Sequence, residues 1–131
     1  MDDRKKLTFP KNERISRKRH LDLLFAEGKS FVAYPLRIIY FPIKKEHAES
    51  TVSVVISVSK KRFKHAVDRN MLKRRIRESY RQQKHELIDF FTQKDSALLV
   101  AFLYISNDKA SYEIIDKGIS KAIYSLKEKY G

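Results

Sequence analysis

Apolar residues recur along this chain with two different periods, and the switches between them lay out its secondary structure. Leu21, Leu24 and Phe25 follow the i, i+3, i+4 spacing of one helix face. Ser16 precedes them as a candidate N-cap and Gly28 follows where a glycine ends helices. Residues 30–43 are rich in aromatic and β-branched side chains, and Pro35 divides them into a short strand and a longer one. In the longer strand Leu36, Ile38 and Tyr40 share a face. Beyond a charged loop at 44–50, Val52, Val54, Ile56 and Val58 alternate with Thr51, Ser53, Val55 and Ser57, the pattern of a half-buried strand.

Helical spacing returns from about 66 to roughly 89, where Leu72, Ile76 and Tyr80 form one narrow apolar line. Residues 97–105 are an unbroken apolar run, typical of a strand buried on both faces and common in parallel pairings. From about Ser111, the spacing of Ile115, Ile119, Ala122 and Leu126, with Ile114 and Ile123 alongside, predicts a closing amphipathic helix. The expected order is αβββαβα, an α+β single-domain sandwich with a four-stranded mixed sheet packed against helices.

Residues 1–14 are polar and charged and carry Pro10, so they read as a flexible basic arm with Leu7 and Phe9 docked. Residues 15–131 read as one domain; at this length a chain buries about two thirds of its surface, enough for a core without staples. The absence of cysteine removes disulfides, thiolate metal sites and thiol nucleophiles together, and fits a reducing cytoplasm. The longest apolar run is far shorter than the ~20 residues that span a bilayer. A soluble, cytoplasmic protein with no membrane partner is expected.

Charge narrows the function. The chain carries 29 Lys and Arg against 16 Asp and Glu, a net charge of +13. Residues 60–81, KKRFKHAVDRNMLKRRIRESYR, concentrate ten of those cations against only Asp68 and Glu78. Such density is costly on a surface unless a polyanion covers it. With about 100° per residue, Arg69, Lys73, Arg74, Arg77 and Arg81 flank the apolar line of the helix. Guanidinium forks grip phosphate oxygens bidentately, Lys adds point charges, and Asn70 offers a donor and an acceptor to a base edge or a 2′-OH. A cationic face is often merely solvated and paired with neighbouring acids. Here Glu78 is within reach of Arg74 or Arg75 and most other cations have no local partner.

Protein-borne hydrolytic chemistry is not indicated. Metal-dependent phosphodiester cleavage needs clustered carboxylates, whereas Glu46 with Glu49 and Glu86 with Asp89 read as surface charge. His20, His47, His65 and His85 show neither metal-ligand spacing nor a paired nucleophile. No catalytic residue and no metal ligand is assigned.

The run SVSKK at 57–61, then Ala66 and Val67, Arg69 and Asn70, Lys73 and Arg74, and Arg77, resembles the signature of the bacterial ribonuclease P protein subunit. The resemblance implies that family's αβββαβα sandwich, of the ribosomal protein S5 domain 2-like kind. It further implies a subunit that binds a catalytic RNA and the single-stranded 5′ leader of precursor tRNA and assists endonucleolytic removal of the leader. The chemistry and Mg²⁺ would then be held mainly by the RNA, in a 1:1 partnership with no role for DNA. On matching positions it assigns Lys60, Lys61, Arg62, Arg69, Asn70, Lys73, Arg74 and Arg77 to contact with catalytic RNA and substrate. It assigns Leu21, Phe25, Ile38 and Tyr40 to a leader-binding cleft, although Leu21, Phe25 and Ile38 fit plain core packing equally well. The chain departs from the family pattern at Met71, where a second arginine is usual, and at Val55 or Ile56, where a glycine is common. It also lacks the basic residue usual after the last strand, and Leu21 stands where an aromatic is frequent. The competing class is a non-catalytic RNA-binding module, such as a ribosomal protein or RNA chaperone. A basic zipper is disfavoured because no leucine heptad follows the basic run.

Overall fold

The computed structural model describes residues 13–131. Leu7, Phe9 and Pro10 of the expected arm lie outside the described residues. The arm's last two positions, Glu13 and Arg14, are attached to the domain. Glu13 accepts a hydrogen bond at 2.7 Å from the buried ammonium of Lys84, and Arg14 bridges to Val54 while the Ile15 amide donates to the Val54 carbonyl at 2.9 Å.

The predicted order holds: α1 (Lys18–Glu27), β1 (Lys29–Ala33), β2 (Leu36–Lys44), a short 3₁₀ turn (Lys45–His47), β3 (Val52–Ser57), α2 (Ala66–Thr92), β4 (Ser96–Tyr104) and α3 (Tyr112–Tyr130). Both boundary signals of α1 act differently from expectation. Its N-cap is Arg17, because the Ser16 hydroxyl lies one residue too early and donates instead to Glu49 at 3.3 Å. Gly28 ends the helix in extended backbone, with φ −68° and ψ 150°. Glycine is required there by space: a Cβ would lie 2.4 Å from the Leu24 carbonyl oxygen and 2.7 Å from Ile39 Cγ2. Ser111 does cap α3, accepting from the Ile114 amide at 3.3 Å.

The sheet order is β1-β2-β4-β3, with β4 antiparallel to β2 and parallel to β3. A parallel pair requires a crossover, and α2 supplies it. The unbroken apolar run becomes β4, buried on both faces from 97 to 102. On one face α2 and α3 pack side by side and bury Leu36, Ile38, Val54, Val100 and Phe102 under Leu72, Ile76, Tyr80, Ile115 and Ile119. The two helices are also joined by polar groups: Ser79 Oγ and Gln83 Nε2 donate to Asp116 Oδ1 at 2.5 and 2.8 Å, and Ser120 Oγ donates to Gln83 Oε1 at 2.8 Å. On the other face, among the described residues, α1 is the one helix, with Ile15 and Leu24 over Leu99 and Ala101.

Gly118 sits where α3 crosses the turn between β1 and β2. A Cβ there would approach the Tyr34 carbonyl oxygen to 2.8 Å and Pro35 Cδ to 3.1 Å. Helix propensity alone favours alanine over glycine by about 1 kcal/mol. Contact with a backbone oxygen outweighs that preference, so Gly118→Ala is expected to lower Tm in a thermal melt; an unchanged or raised Tm would show that the turn yields.

Candidate nucleic-acid interface

α2 sorts its residues as the helical period requires. Leu72, Ile76 and Tyr80 are fully buried and seat the helix on the sheet. Burial raises the Tyr80 hydroxyl above its ordinary pKa, so it stays neutral. The cations divide into two groups. Arg75 Nη1 donates to the Ala110 carbonyl at 2.6 Å, and Arg69 Nη1 donates to the Phe63 and Lys64 carbonyls at 2.9 Å each. Arg81 grips Glu78 with Nε and Nη2 at 3.0 and 2.6 Å. Those hydrogen bonds first, with one from Gln82, hold the Glu78 carboxyl down to about 2. Glu78 therefore pairs with Arg81, one helical turn on, and not with Arg74 or Arg75. Asn70, Lys73, Arg74 and Arg77 form the second group, and among the described residues no hydrogen bond or ion pair engages their side chains.

The segment between β3 and α2 is anchored by an aromatic inside the cationic run. Phe63 is buried against Tyr104, ring centroids 5.8 Å apart, and its amide donates to the Ser59 carbonyl at 3.2 Å. Lys60, Lys61 and Lys64 consequently point into solvent around it. Arg62 is tied down, donating from Nη1 to Asn107 Oδ1 at 2.9 Å. Of the cations assigned to RNA contact, Arg62 and Arg69 thus also shape the loop that presents the others.

The four residues assigned to the cleft divide between the two faces of the sheet. Leu21 is partly buried against the apolar cluster under α1, and Phe25, on the same helix, is 50% exposed. Ile38 and Tyr40 are on the opposite face, 0% and 7% exposed in the core beneath α2 and α3. Neighbouring residues of a strand point to opposite faces, and β2 is apolar on both, so alternation did not say which set meets α1. The residues that share the α1 face are Ile39, Phe41 and Ile43 of β2, Val55 of β3 and Leu103 of β4, all partly buried. The next row across this face is Val32, Arg37, Leu103 and Ser57 by strand register. Val32 is 54% exposed and Arg37 is exposed. Arg37 places a cation on the cleft floor directly opposite Leu103. Its signal in the sequence was a lone charge inside an otherwise apolar strand.

The two surfaces meet across β3, an edge strand. A hollow of about 250 Å³ is lined by Arg14, Ile15, Val54, Val55, Ile56, Lys73 and Arg77. Ile15 and Val55 belong to the apolar cluster under α1, whereas Lys73 and Arg77 belong to α2. Apolar cleft and cationic helix are therefore one continuous surface.

Elsewhere the titratable groups are structural. His20 is buried in α1, and burial first, then Arg17 and Arg19, lowers its pKa, so it is neutral at neutral pH. Glu49 faces Arg17 at 3.7 Å and Glu86 faces Lys127 at 3.6 Å. Among the described residues no three of His, Asp or Glu converge on a point where a metal ion would fit. The sides of the sheet can be told apart by mutation. Ile38→Ala should cost about 2–5 kcal/mol in denaturant unfolding, whereas Phe25→Ala, at a half-exposed position, should cost less than about 1 kcal/mol. Equal losses would place both in the core.

Known proteins resemble this chain in sequence and in fold. Residues 9–126 match the family model described as Ribonuclease P. The ribonuclease P protein component of Porphyromonas gingivalis is 36% identical over 116 residues, 88% of this chain and 84% of that protein. That of Chlorobium phaeobacteroides is 33% identical over 129 residues, 89% of this chain and 86% of that protein. The structure of the Staphylococcus aureus RNase P protein aligns with a TM-score of 0.66 at 21% identity, covering 88% of this chain and 95% of that one. The RNase P protein from Thermotoga maritima aligns with a TM-score of 0.67 at 19% identity, covering 86% and 96%. The chain belongs to the ribonuclease P protein family, the protein component of the ribonuclease P ribonucleoprotein.

Proposed function

We propose that this subunit grips ribonuclease P RNA with the cationic face of α2 and guides the single-stranded 5′ leader of precursor tRNA through the cleft beside α1. The observation that carries the reading is the hollow at the β3 edge, where Ile15 and Val55 of the cleft meet Lys73 and Arg77 of the basic helix. Unpaired bases need apolar and aromatic faces, here Leu21, Phe25, Ile39 and Phe41, while the phosphates between them need cations. Arg37 supplies such a cation on the cleft floor, where β4 has none. Asn70, Lys73, Arg74 and Arg77 keep their donors for an outside partner, with Lys60, Lys61 and Lys64 extending the field. In this reading the bond-breaking chemistry and its Mg²⁺ belong to the RNA and substrate phosphates. The chain's own residues bind and orient. Pairing is one protein to one RNA, and the assembly is cytoplasmic, in keeping with a cysteine-free chain.

Reconstitution with a bacterial ribonuclease P RNA should stimulate cleavage of precursor tRNA at low Mg²⁺. No stimulation, where a known subunit stimulates, would leave only a general RNA-binding role. Replacing Arg74 or Arg77 by Ala should weaken RNA binding and reduce the salt slope by about one phosphate equivalent; an unchanged slope would mean a solvated side chain. Phe25→Ala and Arg37→Ala should weaken precursor tRNA more than mature tRNA, and equal losses for both substrates would argue against leader contact.

A further inference from the structure

The sheet has a notch where β1 begins. β1 is an edge strand and starts at Lys29, opposite Tyr40. Among the described residues, positions 41–44 of β2 therefore have β4 on one side and no strand on the other. The notch is a hollow of about 540 Å³, within the range of small-ligand pockets. Its walls are Tyr40, Phe41 and Pro42 of β2, with Lys29, Glu27 at the end of α1, and Lys129 and Tyr130 at the end of α3.

The walls combine aromatic rings with two lysines and the Glu27 carboxylate. Tyr40 and Tyr130 stand edge to face with centroids 6.2 Å apart, and Phe91 braces Tyr130 at 5.1 Å. The Lys129 ammonium is held over the Phe31 and Tyr40 rings at 5.1 and 5.8 Å. Lys29 adds a second exposed cation, and among the described residues no carboxylate pairs with either lysine. A purely apolar ligand would leave these charges to be desolvated without compensation. An added peptide strand would meet Pro42, which has no N–H to donate to a ladder. Flat rings beside ammonium groups suit an unpaired nucleotide, its base stacked and its phosphates facing the lysines.

Continuity points to the source of that nucleotide. Phe41 belongs both to the hollow and to the apolar cluster under α1, and Glu27 is the last residue of α1. A strand leaving the cleft past the helix C-terminus meets the hollow next. We propose that the notch is a second nucleotide seat for single-stranded RNA, which takes a leader nucleotide farther from the cleavage site than those beside α1. The proposal rests on the α1 cleft being the leader site.

The test uses the reconstituted holoenzyme and precursor tRNAs whose leaders are lengthened one nucleotide at a time. Affinity should rise in two stages, the second appearing only with longer leaders. Tyr130→Leu should weaken long-leader substrates roughly 5- to 100-fold, the range that stacking of one base supports, and leave short-leader substrates unchanged. Lys29→Gln combined with Lys129→Gln changes only exposed side chains, so it decides the matter if the tyrosine variant fails to fold. It should lower the salt slope for long leaders alone. A photoreactive base walked along the leader should attach to α3 only from distal positions. Equal losses on short and long leaders, no loss from the lysine pair, or attachment at no distal position would overturn the second seat. Binding of free adenosine monophosphate with no dependence on leader length would overturn its assignment to the strand. Phe25→Ala separates the two readings. If it weakens short-leader binding while the lysine pair changes nothing, the α1 cleft stands and only the notch falls; if it leaves short-leader binding unchanged, the cleft reading fails by itself.

Discussion

β4 runs through the middle of the molecule with residues 97–102 buried on both faces, so it must be covered twice. Antiparallel pairing with β2 and parallel pairing with β3 satisfy its backbone, and the parallel pair forces the chain to cross over through α2. That crossover sets the N-terminal half of α2, with its cations, at the C-terminal end of β3. Among the described residues coverage is unequal: two helices close one face, and α1 partly closes the other. The uncovered remainder of the second face is the cleft. Under the proposed function this apolar surface is where the leader is received.

The arginines show that a cationic motif is not uniform. Arg69, Arg75 and Arg62 give donors to carbonyl or amide oxygens of neighbouring loops, and Arg81 is clamped by Glu78. These hydrogen bonds hold the presenting frame in one geometry. Among the described residues nothing engages the donors of Asn70, Lys73, Arg74 and Arg77. Under the proposed function the rigid frame lowers the ordering cost of binding RNA, and the exposed donors supply the attraction. The departure at Met71 fits this division, because Met71 is partly buried against the core and takes no part in the exposed row.

The end walls of the sheet add a second consideration. β1 stops short of covering β2, and the C-termini of α1 and α3 converge on the gap. The same shortfall that leaves a strand edge open brings aromatic rings and lysines from three separate elements together. No local pattern in the sequence marks it, since Glu27, Phe41 and Tyr130 are far apart in the chain.

Local chemistry determined a great deal. The helical and strand periods fixed the order of seven elements, the docking line Leu72, Ile76 and Tyr80 needed only the 3.6-residue repeat, and the charge run needed only counting. These features depend on neighbours within a few residues, which the sequence displays directly. Tertiary structure alone decided which face of β2 meets α1, because Leu36, Ile38 and Tyr40 and the alternate set Ile39, Phe41 and Ile43 are both apolar. A shift of one residue exchanges the two faces, and burial by distant helices breaks the tie. It also decided that Glu13 meets Lys84, that Phe63 anchors the basic loop, that Arg37 lies opposite Leu103, and which arginines remain free. Each of these depends on partners tens of residues away, whose approach is set by how the sheet is ordered and covered and not by any spacing along the chain.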